Sequence, residues 1–383
     1  MTQLNETDVV SIQQYFGELE DPRSHINRRH LLGDLIVIAI CGVLAGADGP
    51  KAIGTWAESN ETWLRKHLEL PHEIPSHDTI GRLLALLNPQ AFQACFQSWI
   101  TSLRGTEREP MADIIAIDGK ALRRSHDRKN NLGPLFLVSA WAVQGGISLG
   151  QLATEEKSNE ITAIPELLDN IDIEGATVTI DAAGCQKNIA SKIVDKKGHY
   201  VLALKGKQGK LHQAARKWIA EQMERDFTDV TVRWYQTQVK GHGRLDTLIY
   251  YQFKAPDSLP GKHKWSGLRT IGIAVRISEQ GDKETSDVRY FISSLPMGVQ
   301  RFAKAVRGHW AIEGTLHWCL DVTFREDESR LRNRKAANNL AWLKRFAISL
   351  LKRQNDKESI AMRRRKVGWN TNYLEKVLGI VTT

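Results

Sequence analysis

The chain has 383 residues, enough for two or three folding units, and its 42% hydrophobic and 25% charged residues are ordinary for a globular protein. This composition excludes collagen-like, coiled-coil and wholly disordered chains. Lys and Arg number 53 against 44 Asp and Glu, so the net charge of +9 favours a polyanionic partner, with nucleic acid as the first candidate.

Cysteine usage and apolar segments bear on where the protein works. Four cysteines without a CxxC pair support neither a zinc knuckle nor a disulfide framework, which fits a reducing compartment. The longest apolar stretch, residues 35–47, is shorter than the roughly 20 residues that cross a bilayer, and it predicts a buried helix. Residues 1–10 carry acids and no signal-like region. We expect a cytoplasmic, DNA-associated protein with no membrane partner.

Three kinds of segment follow one another along the chain. Residues 1–105 predict a mostly helical N-terminal domain, with an apolar run at 31–45, a helix at 51–68, and a helix at 76–87 that Ser76 caps. From residue 106 to 383, short apolar runs alternate with helical stretches, which predicts an α/β domain. Strand-like segments at about 229–295 predict a β-rich insertion, and residues 330–383 predict a basic helical C-terminal part.

Two aspartates follow short apolar runs that are typical of buried strands. Asp118 comes after the run Ile-Ile-Ala-Ile and precedes a glycine, and Asp181 comes after Val-Thr-Ile and precedes Ala-Ala-Gly. An isolated Asp in such a place is more often a turn or capping residue. Because active sites of α/β proteins gather at strand ends, the repeated arrangement predicts a shared site.

A third acid, Glu313, lies in a segment that predicts a helix. Positions 309, 313, 317 and 321 are four apart and therefore share one helical face. Two Asp and one Glu offer hard oxygen ligands, which suit two Mg²⁺ ions, with Mn²⁺ as the alternative. Two such ions activate an attacking oxygen and stabilise a leaving oxygen, so a phosphodiester is the expected substrate.

Other assignments of this segment stay open. His309, Glu313 and His317 have the spacing of a zinc site on one helix face. Asp321, Glu326 and Asp327 compete with Glu313 as the third acid, although the last two lie in a charge-rich stretch that predicts a solvent-facing position.

Several longer motifs carry a family resemblance. They are HLLGDLIVIAICGVLAGADG, IPSHDTIGRLLALL, IAIDGKALR, VTIDAAGCQ, YVLALKGKQ, GHGR, YFISSL and HWAIEGTLHWCLDVTFREDESR. With them the chain resembles the bacterial insertion-sequence transposases of the Asp-Asp-Glu (DDE) type over nearly its whole length, and most closely their H-repeat-associated group.

The resemblance implies a ribonuclease H-like catalytic domain with a β-rich insertion, two-metal DNA strand cleavage and joining, and a homo-oligomer on DNA. It makes Asp118, Asp181 and Glu313 the three catalytic and metal-binding acids. Related transposases often place Tyr, Arg and Lys around the Glu, at positions that here hold Val306, His309 and Leu320. Arg307 and His309 are the expected substitutes for the phosphate-binding side chains.

Further DNA contacts are expected from basic and aromatic side chains. Lys120 and Arg123 follow the first Asp, and Lys205 and Lys207 follow a strand, although solvated surface positions explain such residues equally well. Residues 330–366 hold 13 Lys or Arg against two acids, and helical periodicity places Lys344 and Arg345 on the outer face. Trp310 is a candidate for stacking on a base, with core packing as its alternative. The helices at 51–68 and 76–87 are a candidate helix-turn-helix with an unusually long connection.

The predicted function is a transposase that binds the ends of its element in double-stranded DNA, cleaves them and transfers strands to a target. One alternative is a structure-selective nuclease or resolvase on the same fold, which a strand-transfer assay distinguishes. The other is a decayed or domesticated DNA-binding protein, for which short inverted repeats flanking the coding DNA would be absent.

Overall fold

The computed structural model describes residues 14–104, 114–154, 160–241 and 243–379. The domain boundary predicted near residue 105 and the side chain of Lys207 lie outside the described part of the chain. Five helices precede the first strand: α1 Leu32–Leu44, α2 Pro50–Ser59, α3 Glu61–His67, α4 His77–Leu86 and α5 Pro89–Arg104.

The N-terminal helices show why their sequences fold locally as they do. Helix α1 is buried at every position from Asp34 to Leu44, as an uninterrupted apolar run requires, so the prediction of a buried helix is confirmed. Helix α4 begins after Ser76, whose hydroxyl accepts a hydrogen bond from the Thr79 N–H at 3.3 Å. The predicted cap is therefore also confirmed. Among the described residues, no helix is long and apolar enough to span a membrane.

A nine-stranded sheet follows, in the order β3-β2-β1-β4-β5-β9-β8-β7-β6. Its strands are β1 Ile114–Leu122, β2 Leu135–Ala142, β3 Ile147–Thr154, β4 Thr177–Ile180, β5 His199–Leu204, β6 Val232–Gly241, β7 Arg244–Lys254, β8 Thr270–Gln280 and β9 Lys283–Ser293. Strand β2 is antiparallel to β1 and β3, whereas β1, β4 and β5 are parallel.

The strand-rich block predicted at 229–295 corresponds to β6–β9. Strand β9 pairs antiparallel with β5, so these four strands continue the same sheet and do not form a separate one. Three helices lie within the α/β part, namely α6 Glu160–Asp169, α7 Lys187–Asp195 and α8 Gly209–Glu224.

After the sheet the chain returns across it as helix α9, Val299–Ala311. The helix lies very close to β1, because an added Cβ on Gly308 would come within 2.9 Å of Ile114 Cγ2. Beyond α9 the chain forms two π-helical segments, Ile312–His317 and Cys319–Thr323. The continuous α-helix expected through residues 309–321 is therefore wrong, and such π-helical turns occur frequently at functional sites.

The described part of the chain ends with three α-helices: α10 Arg334–Lys352, α11 Ile360–Trp369 and α12 Thr371–Leu378. They share one hydrophobic core with the N-terminal helices. The Phe96 and Phe346 rings lie 4.1 Å apart, and the Trp63 indole donates to Glu375 Oε1 at 2.7 Å. The two ends of the chain therefore fold together beside the sheet.

Candidate active site

The sheet brings the two aspartates to one place. In the parallel pair of β1 and β4, Ile117 lies opposite Ile180, so the next residues, Asp118 and Asp181, emerge side by side. Asp181 Oδ1 accepts hydrogen bonds from the backbone N–H groups of Ala183 (2.9 Å) and Gly184 (3.2 Å). The sequence predicted that Asp118 lies at the end of its strand. In the structure the strand does not end there, because β1 continues to Leu122 in its pairing with β2.

The third acid approaches the same point. Glu313 lies in the first π-helical segment, which packs against β1. The pKa of Asp118 is raised to about 7, mainly by burial and also by the negative charges of Asp181 and Glu313, whereas a hydrogen bond from the Gly119 N–H opposes the shift. The predicted acids therefore interact electrostatically with one another around Asp118.

A fourth carboxylate, that of Glu160, was missed from the sequence. It is buried at the start of α6, and its charge also contributes to the raised pKa of Asp118. The absence of a side chain at Gly119 makes room for it, since a Cβ there would overlap Glu160 Oε1. The glycine after Asp118 indicated that another group packs closely against the strand there, but no sequence pattern indicated that this group is Glu160.

The two histidines of the Glu313 segment are half-buried beside the acids. His317 Nδ1 lies 3.6 Å from Asp118 Oδ2, and His309 Nδ1 lies 3.4 Å from Thr179 Oγ1. Burial lowers the pKa of His309 to about 4 and that of His317 to about 3. Both rings are neutral at pH 7, so His309 does not offer a phosphate the positive charge expected of it.

The residues present fit hard divalent ions such as Mg²⁺ because all four carboxylates supply oxygen. Burial, together with the charges of the neighbouring acids, raises the pKa of Asp118, and a bound cation would offset those charges. Among the described residues, no three His, Cys, Asp or Glu side chains already stand close enough to hold a metal ion. The zinc arrangement of His309, Glu313 and His317 is therefore not formed.

Lys120 lies in a buried ionic cluster and does not reach the rim of the site. Its side chain is 8% exposed, with Nζ 2.7 Å from Asp321, 2.9 Å from Asp327 and 3.6 Å from Glu326. The expected DNA contact of Lys120 is wrong because the three acids enclose its ammonium. The three acids that pair with Lys120 are the alternatives to Glu313 as the third acid. The solvent-facing position expected of Glu326 is also wrong, because Glu326 is buried.

The exposed positions expected of Lys344 and Arg345 are wrong as well. Both are buried on α10, since the sheet and the N-terminal helices pack around that helix. Arg345 Nη1 donates to Glu326 Oε1 at 2.6 Å. Neither side chain can lie on a DNA-binding surface in this fold.

Other residues that the sequence predicted to contact DNA do lie close to the predicted catalytic acids. A cavity of about 580 Å³ opens beside Asp181 and Glu313. Its basic and aromatic lining includes Lys205, Arg216, Arg289, His309 and Trp310. The Arg289 guanidinium lies over the half-buried Trp310 ring, 5.2 Å from its centre. Arg216 and Arg289 were missed because helix α8 and strand β9 come from distant parts of the sequence.

Two further predicted contacts are exposed outside this lining. Arg123 is 79% exposed, and its Nε lies 3.0 Å from Asp327. Arg307 is exposed on α9.

Comparison with known proteins identifies the family. Residues 109–351 match the model described as "Transposase DDE domain", and residues 13–100 match "DDE_Tnp_1-associated". The chain belongs to this family of DDE transposases, as the resemblance predicted.

Relatives that match over nearly their whole length support the same family assignment. The chain is 38% identical to "Putative transposase YncI" of Escherichia coli O157:H7, over 97% of this chain and 95% of that protein. It is 35% identical to "H repeat-associated putative transposase YhhI" of Escherichia coli K12, over 97% and 98%. A solved "piggyBac transposase synaptic complex with hairpin DNA" is similar at a TM-score of 0.40 and 10% identity, covering 97% of this chain and 79% of that one, which is too distant to support a conclusion.

Proposed function

We propose that this protein is a metal-dependent DNA transposase that binds the ends of an insertion element in double-stranded DNA, cleaves them and joins the strands to a target. The observation that carries the proposal is the electrostatic interaction of Asp181, Glu313 and Glu160 with a half-buried Asp118. Strand order also supports it, because β3-β2-β1-β4-β5 with β2 antiparallel is the arrangement expected of a ribonuclease H-like domain.

Asp118, Asp181 and Glu313 would hold two Mg²⁺ ions, or Mn²⁺, with Glu160 as a fourth carboxylate beside Asp118. Such ions activate a water or a DNA 3′-hydroxyl and stabilise the leaving oxygen. The backbone N–H groups that bind Asp181 fix its orientation, and the His317 ring lies 3.6 Å from Asp118.

Cations around the cavity would receive the scissile phosphodiester. Lys205, Arg216 and Arg289 line it beside Asp181 and Glu313, so they can offset the charge of a DNA backbone close to the carboxylates. The cation–π contact with the Trp310 ring would orient the guanidinium of Arg289. We further propose that the protein acts as a homo-oligomer on DNA in the cytoplasm.

The test uses Asp118→Asn, Asp181→Asn and Glu313→Gln in the full chain. Each variant should bind duplex DNA as the wild type does and lose Mg²⁺-dependent cleavage, by about 10³-fold or more, because a metal-binding carboxylate is removed. Asp169→Asn is the matched control, since this exposed acid pairs with Lys192 away from the site. Undiminished cleavage by all three variants would refute the proposal.

A strand-transfer assay on the same proteins separates the transposase from a nuclease or resolvase. Cleavage together with joining to a target duplex supports the transposase. Cleavage of branched DNA without joining supports the alternative, and DNA binding without either reaction supports a decayed protein.

A further inference from the structure

A second cavity, of about 1030 Å³, lies among the N-terminal helices. It is bounded by residues 23–30, the end of α3, the connection to α4 and one side of α4 from Thr79 to Leu86. Six basic side chains line it: Arg23, Arg29, His30, Arg65, His72 and Arg82. Glu73 is the one acid among the described lining residues. The cavity shares no described lining residue with the one beside Asp181.

The positive charge of this cavity is only partly balanced. Arg23 pairs with Asp21 at 2.7 Å and Arg65 pairs with Glu61 at 2.8 Å. Within the described ranges, Arg29 and Arg82 form no ion pair, and both are exposed. Burial lowers the pKa of His30, and the nearby His72, Arg23 and Arg29 lower it further. Cations therefore lie close together there with too few acids, an arrangement that an anion would stabilise.

One donor in the cavity wall is fixed and left unused. The Arg23 side chain is 9% exposed, and its Nη2 donates to Asp21 at 2.7 Å and to the His30 carbonyl at 2.8 Å. Its Nη1 is buried and makes no hydrogen bond with any residue that the structure describes, and the same holds for His30 Nδ1. The buried Arg23 Nη1 donor without a partner is costly, and a ligand that accepts hydrogen bonds in this wall would offset that cost.

The connection between α3 and α4 is held in a strained shape that forms part of the wall. Leu70 has a positive φ of 40°, a backbone conformation that is unfavourable for a residue other than glycine. The buried Asp34 carboxylate accepts a hydrogen bond from the Leu70 N–H at 2.9 Å, and Arg65 donates to the Leu70 carbonyl at 3.3 Å. The cavity is thus built before any ligand arrives.

The chemistry of the lining points to phosphate groups and not to bases. Among its described residues there is no Trp, Tyr or Phe on which a base could stack. Arginine, in contrast, offers a planar set of donors that matches the oxygens of a phosphate. A cavity of this size with several arginines suits consecutive phosphates of a nucleic acid better than a single small anion.

We propose that this cavity binds the backbone phosphates of double-stranded DNA and so anchors the duplex at a place separate from the catalytic acids. The inference rests on the proposed function, because a transposase must hold its DNA while the acids act on it. The contacts would position the duplex without reading its sequence.

The test measures duplex binding by fluorescence anisotropy between 50 and 200 mM NaCl, with Glu313→Gln in every protein to prevent cleavage. The double variant Arg29→Ala/Arg82→Ala should reduce the slope of log affinity against log salt by about 2 and weaken binding by about 10-fold or more. Arg29→Lys/Arg82→Lys should retain most of the slope because the charges remain. Lys51→Ala/Lys66→Ala, which removes two exposed charges from α2 and α3 outside the cavity, is the matched control.

Each outcome has a distinct meaning. Wild-type slopes and affinities in the Arg29→Ala/Arg82→Ala protein would overturn the inference and leave the proposed function standing, whereas no DNA binding by the parent protein would contradict the proposed function itself. An equal loss in the Lys51→Ala/Lys66→Ala control would also overturn it. Stabilisation by inorganic phosphate that the arginine variant loses, with DNA binding unchanged, would identify a free-phosphate site and overturn the DNA assignment.

Discussion

Two groups of charged residues lie two positions apart on β1, and they differ in how their charges are balanced. Around Asp118, carboxylates crowd together, and burial with this repulsion raises the pKa of Asp118 to about 7. Around Lys120, by contrast, acids and cations alternate. Burial alone would raise the pKa of Glu326, but Arg345 and Lys120 lower it below its usual value. The unbalanced group is suited to bind a cation, and the balanced group stabilises the fold.

The largest expected effect comes from breaking the balanced cluster. Arg345→Ala would leave Glu326 buried with less compensation and should lower the free energy of unfolding by about 3 to 5 kcal/mol. Arg332→Ala, an exposed residue in the same basic stretch, should change it by less than about 0.5 kcal/mol. Urea unfolding at pH 7 measures both, and equal stabilities would show that the cluster contributes nothing.

A substitution in the carboxylate group around Asp118 should have the opposite effect and raise the free energy of unfolding. Because the folded-state pKa of Asp118 is raised, its ionisation opposes folding as the pH rises from about 4 through 7. Without divalent ions at pH 8, Asp118→Asn should therefore raise the free energy of unfolding, by roughly 1 to 3 kcal/mol. Thermal unfolding in EDTA measures this change. A variant that is less stable than the wild type would mean that the carboxylates do not repel one another.

Comparison of these two groups shows what the sequence could predict. The apolar runs before Asp118 and Asp181 predicted buried strands, and the parallel pairing of those strands in the structure places both acids together. Glu313 was singled out from the four-residue spacing of a predicted helix and again from the resemblance, but no local pattern predicted the π-helical turn that carries it.

The sequence misplaced Lys344 and Arg345 and missed Glu160 for the same physical reason. Lys344 and Arg345 fall on the polar side of an amphipathic helix pattern, which favours exposure. The sheet and the N-terminal helices bury that side, with Glu326 as the ion partner of Arg345. Glu160 belongs to α6, which follows β3 and not β1, so only the folded chain brings it to Gly119. Packing between distant segments is not visible in periodicity.

The affinity for Mg²⁺ should depend on pH in a direction set by Asp118. Below pH 7 this carboxyl holds a proton that the ion must displace, so affinity should fall by up to about 10-fold per pH unit and become constant above pH 7. Calorimetric titration of the full chain from pH 5.5 to 8.5 measures the affinity. An unchanged affinity across this range would contradict the raised pKa.

The smallest effect on stability is expected at the glycine that admits Glu160. Gly119→Ala would displace the end of a flexible side chain, so it should cost no more than about 1 kcal/mol of unfolding free energy. Mg²⁺ affinity should nevertheless fall, because the carboxylate beside Asp118 moves. Gly133→Ala, where an added Cβ meets nothing within 4 Å, is the control. Equal Mg²⁺ affinities in the two variants would remove Glu160 from the site.

The most direct measurement is a titration with Mn²⁺ followed by electron paramagnetic resonance at pH 8, on the wild type and on Asp118→Asn, Asp181→Asn and Glu313→Gln. The account predicts that the wild type binds two ions and that each variant loses at least one. Wild-type stoichiometry and affinity in all three variants would show that these carboxylates do not form a common metal site.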